Sequence, residues 1–443
     1  MELKPTYGNI FKIAMPIILF QLAQNVIGFT DTIFLGRVGE LEMGAVVLFS
    51  VFYLVMQMIG YGISRGGQIL IARRAGENKF KEIGQIVDNL FVVQMVIGLL
   101  LFLFLKFGLE YFLPWFIHTP EVYEAGLDYL GYRAYGLPFS FFAFVFLSLY
   151  TGIGQTRIIT VITVMLAGVN IILDYVLIFG AFGAPVMGIG GAGLASAIAE
   201  IVSGLFGIGY VIFDKKLIPF EIFRFRDVST KFMKKLMEIS TPIALQYIIG
   251  LGGWFIFFTF IENMGQRALA ISGILKQLYT FYSIPAWGLG TAANSIVSNL
   301  LGMNSVRGAI DSIKRTTVLS IGMTAALMLT IFFVPDWMIS IFRNEPELID
   351  ATMKVVYILA PILFACAVSS ILFNAVMGTG ATRKSLVIEI VSVILYLAYA
   401  FVIVNVFGKG LTWVWMSEFV YWFTLAIGAY MYLRKAKWWR IKV

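Results

Sequence analysis

Long apolar runs dominate the sequence and can be placed at residues 10–35, 44–72, 86–109, 129–152, 158–182, 191–213, 239–262, 268–299, 315–334, 354–378, 385–407 and 411–433. At about 1.5 Å of helical rise per residue, roughly twenty residues cross a hydrocarbon core of about 30 Å. In lipid every backbone N–H and C=O has to be satisfied within the segment, so runs of this length fold as helices; a barrel would show short alternating segments. Charged residues make up 13% of the chain and mean hydropathy is +0.88, whereas a soluble domain carries about a quarter charged residues. The expected fold class is an all-α polytopic membrane protein with twelve transmembrane helices.

A repeat orders these runs. Displacing the chain by 226 residues brings Pro16 onto Pro242, Gly39 onto Gly265, Tyr53 onto Tyr279, Gly62 onto Gly288 and Gly76-x-Asn78 onto Gly302-x-Asn304. The same offset brings Pro120-Glu121 onto Pro346-Glu347 and Gly152-x-Gly154-x-Thr156-Arg157 onto Gly378-x-Gly380-x-Thr382-Arg383. Two hydrophobic sequences match by chance at scattered Leu and Ile, not at turn residues. Two pseudo-symmetric six-helix lobes are therefore expected: an N-terminal lobe over 1–213, a cytoplasmic linker over 214–238, a C-terminal lobe over 239–433 and a basic cytoplasmic tail over 434–443. Six spans return the chain to its starting side, so both lobes share one orientation and can enclose a central cavity that rocks between the two sides of the membrane. Lys and Arg gather at the amino terminus, the even-numbered loops and the tail, which puts both termini in the cytoplasm of a plasma or inner membrane. The formal charge of +8 is thus read as membrane orientation, not as a nucleic-acid surface. Span one shows no cleavage site after its apolar core and is expected to be retained.

Several chemistries find no support. Cys366 is the single cysteine and His118 the single histidine, which leaves no multi-cysteine metal site and no Ser-His-Asp relay. The Gly188-Ile189-Gly190-Gly191-Ala192-Gly193 run lies between apolar spans, not inside a βαβ unit, and reads as close helix packing. Without a phosphate loop, energy is expected from an ion gradient; no enzyme, catalytic residue, metal or cofactor is expected.

Ionisable groups inside apolar spans are costly and become functional candidates. Asp31 interrupts span one, and Asp174 lies in span five with Asn170 one turn earlier on the same face. Two carboxylates in one low-dielectric pocket suit capture and release of a shared proton. Gln24 precedes Asp31 by two turns and is expected to line the same cavity, while Asn170 and Tyr175 are available as local hydrogen-bond partners. Glu200 and Glu418 are further buried acids, equivalent in the two halves if the second lacks eight residues between its fifth and sixth spans. Arg65 and Lys276 are read as snorkelling or as partners of a carboxylate. Gln277, Tyr279, Tyr282, Trp287 and Asn294 mix aromatic faces with amides, a lining suited to flat organic substrates.

The segments PIILFQLAQNVIGFTDTIFLGRVG, ISRGGQILIARRAGENKFKE, the TGIGQTR turn and VNIILDYVLIFG resemble the multidrug and toxic compound extrusion family, MATE, over essentially the whole chain. Asp31, Asn170 and Asp174 together resemble its DinF-like and archaeal branch. The resemblance implies two V-facing six-helix lobes and export of organic, often cationic compounds in exchange for protons or Na+. It also implies that Gln24, Asp31, Asn170 and Asp174 form the ion and proton network. The sequence departs from that branch in span four, where Ala143, Phe144, Val145, Phe146 and Leu147 are all apolar, which leaves few ligands for Na+. The NorM-like branch would carry acids deep in spans seven and ten, where this chain has none before Glu262 and none between Pro361 and Gly380. The expected function is a proton-coupled antiporter that acts as a monomer on small organic substrates among membrane lipids. A sodium-coupled antiporter and a flippase of lipid-linked precursors are the alternatives; the flippase calls for a more cationic cavity than Arg65 and Lys276 provide.

Overall fold

A computed structural model describes residues 2–333, 339 and 346–441. Residue 334, the last of span nine, lies outside the described residues.

Helices follow the apolar runs: α1 Tyr7–Gly36, α2 Glu40–Gly76, α3 Phe80–Leu103, α4 Leu109–Phe112, α5 Pro120–Arg133, α6 Leu137–Gly152, α7 Arg157–Phe179, α8 Gly188–Phe213, α9 Thr230–Glu262, α10 Gln266–Gly302, α11 Val306–Phe333, α12 Pro346–Val356, α13 Leu359–Gly378, α14 Thr382–Phe401 and α15 Leu411–Lys435. Among the described residues, ten helical stretches are long and apolar enough to cross a membrane. The runs at 268–299 and 411–433 are also helical, as α10 and α15. Their buried Ser272, Asn294, Asn299, Ser417 and Glu418 lower their hydropathy.

The repeat is visible in backbone geometry. Helices α2 and α10 are both 37 residues long. Each is followed by an asparagine in the left-handed region, Asn78 at φ 57° and Asn304 at φ 58°, a conformation that Asn tolerates better than most side chains. Gly154 and Gly380 take φ 74° and 93° in the matched turns, where any Cβ is strained.

The chain forms two compact units, Leu19–Ala244 and Met1–Ile18 with Leu245–Val443. The core of the first contains Phe49, Tyr53, Tyr129, Leu130 and Phe141. Glycines let its helices approach closely: a Cβ at Gly62 would meet the backbone of Ala244, and one at Gly66 the side chain of Ser240. The polar segment after α8 is folded onto the start of α3. Asp88 accepts backbone hydrogen bonds from Phe223 at 2.7 Å and Phe225 at 2.8 Å, and Lys81 pairs with Glu221 at 3.2 Å. That hydrogen-bonded ammonium holds the Glu221 carboxyl below its ordinary range.

The second unit has an aromatic core. Phe257 packs on Tyr396 with ring centroids 5.4 Å apart and edge-on to Trp415 at 5.6 Å. Its amino-terminal segment is tied to later helices: the Leu3 N–H donates to Asn299 Oδ1 at 3.0 Å, and Arg315 Nη1 donates to the Pro5 carbonyl at 2.8 Å.

Candidate functional site

The unit Leu19–Ala244 gathers an unusual set of polar groups inside an apolar helical bundle. Small residues create the space. In α8, a Cβ at Gly191 would lie 2.7 Å from the Leu177 carbonyl of α7, and one at Gly193 would strike the Tyr129 carbonyl of α5. The glycine-rich run is thus the close-packing surface expected of it, and it draws α8 against the helices that carry Asp174, Tyr129 and Arg133. At Gly136, between α5 and α6, a Cβ would occupy the position of the Glu200 carboxylate.

Asp31 of α1 and Asp174 of α7 are 6% and 0% exposed. Their carboxyls interact side chain to side chain. Asp31 Oδ1 and both Asp174 oxygens have no donor group from elsewhere in the protein. Asn170, one turn before Asp174, donates from Nδ2 to Ser196 Oγ at 3.0 Å, and its Oδ1 is buried without a partner. The two acids therefore meet as the sequence suggests, but Asn170 is turned to α8 and does not donate to either of them. Tyr175 is half exposed and packs its ring edge-on to Phe34; adjacent residues of a helix point about 100° apart, so it leaves the Asp174 face.

A second cluster lies beside the first. Arg133 Nη2 pairs with Glu200 Oε1 at 3.1 Å, and its guanidinium stands 4.4 Å from the centre of the Tyr53 ring. Tyr53 donates its hydroxyl to Glu200 Oε2 at 2.8 Å, and Gln57 Nε2 donates to Oε1 at 3.1 Å. Arg133 also acts electrostatically on both Asp31 and Asp174. Its Nε and Nη1 are buried without acceptors. Glu200 opens on a cavity of about 70 Å³ lined also by Phe20, Gln24, Gln57, Phe144 and Ser203. Since about 10–15 Å³ of such space holds one water, several waters or a small cationic head group fit. Gln24 thus lines the cavity of Glu200.

Arg133 was absent from the sequence-derived candidates because it lies near the start of span four and counts there as an edge charge. Its separation of four residues from Tyr129 was the available signal, since that spacing puts both on one helical face. Of the two basic candidates, Arg65 is buried and donates from Nη1 to Gln68 Oε1 at 2.6 Å, so it does not snorkel. Lys276 lies over the rings of Trp254 at 5.8 Å and Phe258 at 5.4 Å.

In the other unit, Glu418 is enclosed by Tyr396, Trp254 and Tyr279, and Glu389 accepts from the Tyr421 hydroxyl at 2.8 Å. Tyr279 accepts from Trp422 Nε1 at 2.9 Å and packs near Trp287 at 6.4 Å. Tyr282 bonds Thr330 at 2.5 Å. Asn294 is fully buried with both side-chain polar atoms unpartnered, and Gln277 is half-buried. Tyr279 and Tyr282 are core residues here, held by ring packing and hydrogen bonds.

Comparison with known proteins gives a consistent picture. The sequence profile of the MatE family matches residues 16–176 and again residues 242–402, two segments in the register of the internal repeat. A probable multidrug resistance protein NorM of Thermotoga maritima is 28% identical over 419 residues, covering 92% of this chain and 88% of that protein. The protein of the same description from Listeria innocua is 25% identical, covering 97% and 94%. Among solved structures, the outward-facing conformation of a multidrug resistance MATE family transporter of the MOP superfamily superposes with a TM-score of 0.89 at 19% identity, covering 97% of this chain and 95% of the other. A MOP superfamily transporter from Pyrococcus furiosus, described as having a binding pocket of reverse polarity that suggests a different function, superposes with a TM-score of 0.87 at 19% identity, covering 97% and 95%.

Proposed function

Because the chain belongs to the MatE family, we propose that it is a proton-coupled antiporter that exports small organic, cationic or amphipathic compounds, with Asp31 and Asp174 as the coupling pair. Members of the family are membrane transporters and not enzymes, and antiport of organic compounds is their common activity. The finer assignments proposed here are twelve membrane-spanning helices in two six-helix lobes bounded as in the sequence reading, cytoplasmic termini, a monomer in contact with lipid, and membership of the DinF-like and archaeal branch.

The observation that carries the proton reading is the meeting of two buried carboxyls in which Asp31 Oδ1 and both Asp174 oxygens lack a protein donor. Two ionised carboxylates at such a place repel each other and lose hydration, so the pair is stable with at least one proton shared. Proton uptake removes negative charge from the helical interior and weakens its hold on a cation; proton loss restores it. Transport then follows from the different affinities of the two protonation states, each favouring a different access state of the protein. Na+ is the alternative coupling ion, since the carboxyl oxygens and the unpartnered Asn170 Oδ1 are hard ligands. The apolar stretch Ala143–Leu147 offers no further side-chain oxygen. The flippase reading is weaker, because Arg65 is engaged by Gln68 and Lys276 by aromatic rings.

The test is efflux from proteoliposomes with independently imposed proton and sodium gradients and a panel of fluorescent organic cations. A proton gradient alone drives efflux by the wild type, and Asp31→Asn and Asp174→Asn each lower it at least about tenfold while the protein stays monodisperse. Wild-type rates in both variants overturn the coupling role. Efflux driven by sodium alone transfers the same residues to Na+ binding.

A further inference from the structure

Arg133 is satisfied on one side only. Its Nη2 holds Glu200 at 3.1 Å, and its Nε and Nη1 are buried donors without acceptors. In the same interior, Asp31 Oδ1 and both Asp174 oxygens are buried acceptors without donors. The titratable groups facing the guanidinium are Asp31 from α1, Tyr53 from α2, Tyr129 from α5, Asp174 from α7 and Glu200 from α8. A planar guanidinium presents several donors in a fixed fork and can serve two carboxylates, which an ammonium does poorly.

We infer that Arg133 is a resident counter-ion which Glu200 exchanges for the cationic nitrogen of a transported compound, the exchange being set by whether the Asp31–Asp174 pair carries protons. This rests on the proton-coupling reading above and extends it to a second site. With the pair protonated, Arg133 stays on Glu200 and the adjoining cavity repels cations. When the pair loses its protons, its negative charge draws the free edge of the guanidinium. Glu200 remains fixed by Tyr53 at 2.8 Å and Gln57 at 3.1 Å, but it is no longer neutralised. It then offers an anion to the cavity of about 70 Å³, where Phe20 and Phe144 supply aromatic walls favourable to a positive charge. Reprotonation returns Arg133 to Glu200 and expels the cation. The transported group assigned to this site is a quaternary or protonated nitrogen, with the rest of the molecule outside the cavity.

Binding of benzyltrimethylammonium to the full chain in nanodiscs tests the exchange, because the charge of this probe is independent of pH. Wild-type affinity is expected to rise at least about tenfold between acidic and alkaline buffer, a coupling of ordinary size for linked sites. Glu200→Gln loses roughly tenfold or more at alkaline pH, and Arg133→Gln binds about as tightly in acid as in alkali. Wild-type pH dependence in Arg133→Gln, or wild-type affinity in Glu200→Gln, overturns the inference. Should Arg133→Gln alone fail to fold, Asp31→Asn/Asp174→Asn provides the second background. Binding there stays at the acidic wild-type level at all pH values, and adding Arg133→Gln restores it at least about tenfold. If the double Asn variant removes the pH dependence and Arg133→Gln restores nothing, the exchange alone fails. If the double Asn variant keeps the wild-type pH dependence, the proton reading fails and the exchange with it.

Discussion

The two repeats share a scaffold and differ in charge. Tyr53 donates to Glu200 in the first, and the matched Tyr279 adjoins Glu418 in the second, so one tyrosine–glutamate arrangement recurs. Around it the halves diverge. At the 226-residue offset, Asp31 is replaced by Phe257, Asn170 by Tyr396, Asp174 by Ala400 and Arg133 by Leu359. Where the first half has two acids and a guanidinium, the second has Phe257 packed on Tyr396 at 5.4 Å. The difference teaches that the repeat specifies helix lengths, turns and close approaches, while a few interior substitutions decide whether that frame encloses a titratable chamber or an aromatic core. Even the space differs, since Gly136, which makes room for Glu200, is matched by the buried Ile362.

Exchanging residues between halves breaks or sharpens this contrast. The largest effect is expected from Arg133→Leu, which gives the first half the residue of the second and leaves Glu200 without its cation. Breaking one side of a buried ion pair costs about 3–5 kcal/mol, to be read by unfolding in mixed detergent micelles. Glu200→Gln added to this variant is expected to recover most of the loss. An Arg133→Leu protein as stable as wild type would show that the charge difference has no energetic weight. Next is Gly136→Ala, whose Cβ would meet the Glu200 carboxylate and lie 2.8 Å from Ala197 Cα. Overpacking of this kind costs about 1–3 kcal/mol, and the displaced Glu200 should also weaken cation binding. Unchanged stability and binding would mean that α5 and α8 can separate without consequence. The smallest is Trp422→Phe in the second half, which removes the 2.9 Å hydrogen bond to Tyr279. It is expected to cost about 0.5–1.5 kcal/mol and to leave the pH dependence of transport as it is. A shifted pH profile would show that the aromatic half takes part in coupling.

Much of the fold was legible because it is written in one dimension. Run length marked the helices, and the constant offset of turn residues marked the repeat, down to Asn78 and Asn304 in the same left-handed conformation. Helices α10 and α15 fall outside the ten long apolar stretches, and buried polar groups sit inside both although their lengths suffice to span. In the site, Asp31 and Asp174 stood out because carboxylates are rare in apolar runs. Arg133 did not, because a count of edge charges ignores helical phase, and only the phase shared with Tyr129 turns it inward. The same phase turns Tyr175 outward from Asp174. Gln24 sits at a spacing that fits Asp31, yet it lines the cavity of Glu200, a neighbour 176 positions later that no local spacing reveals.

The amino-terminal segment held by Asn299 and Arg315 has a consequence for biosynthesis. Leu3 and Pro5 leave the ribosome long before their partners, which lie 296 and 310 positions further on. At synthesis rates of about 5–20 residues per second, these bonds form only after roughly 15–60 s. During that interval the segment before the first helix lacks these two partners, while the helices that carry Asp31, Arg133, Asp174 and Glu200 have already been made. The charged interior can therefore assemble well before Asn299 and Arg315 are available to hold Leu3 and Pro5.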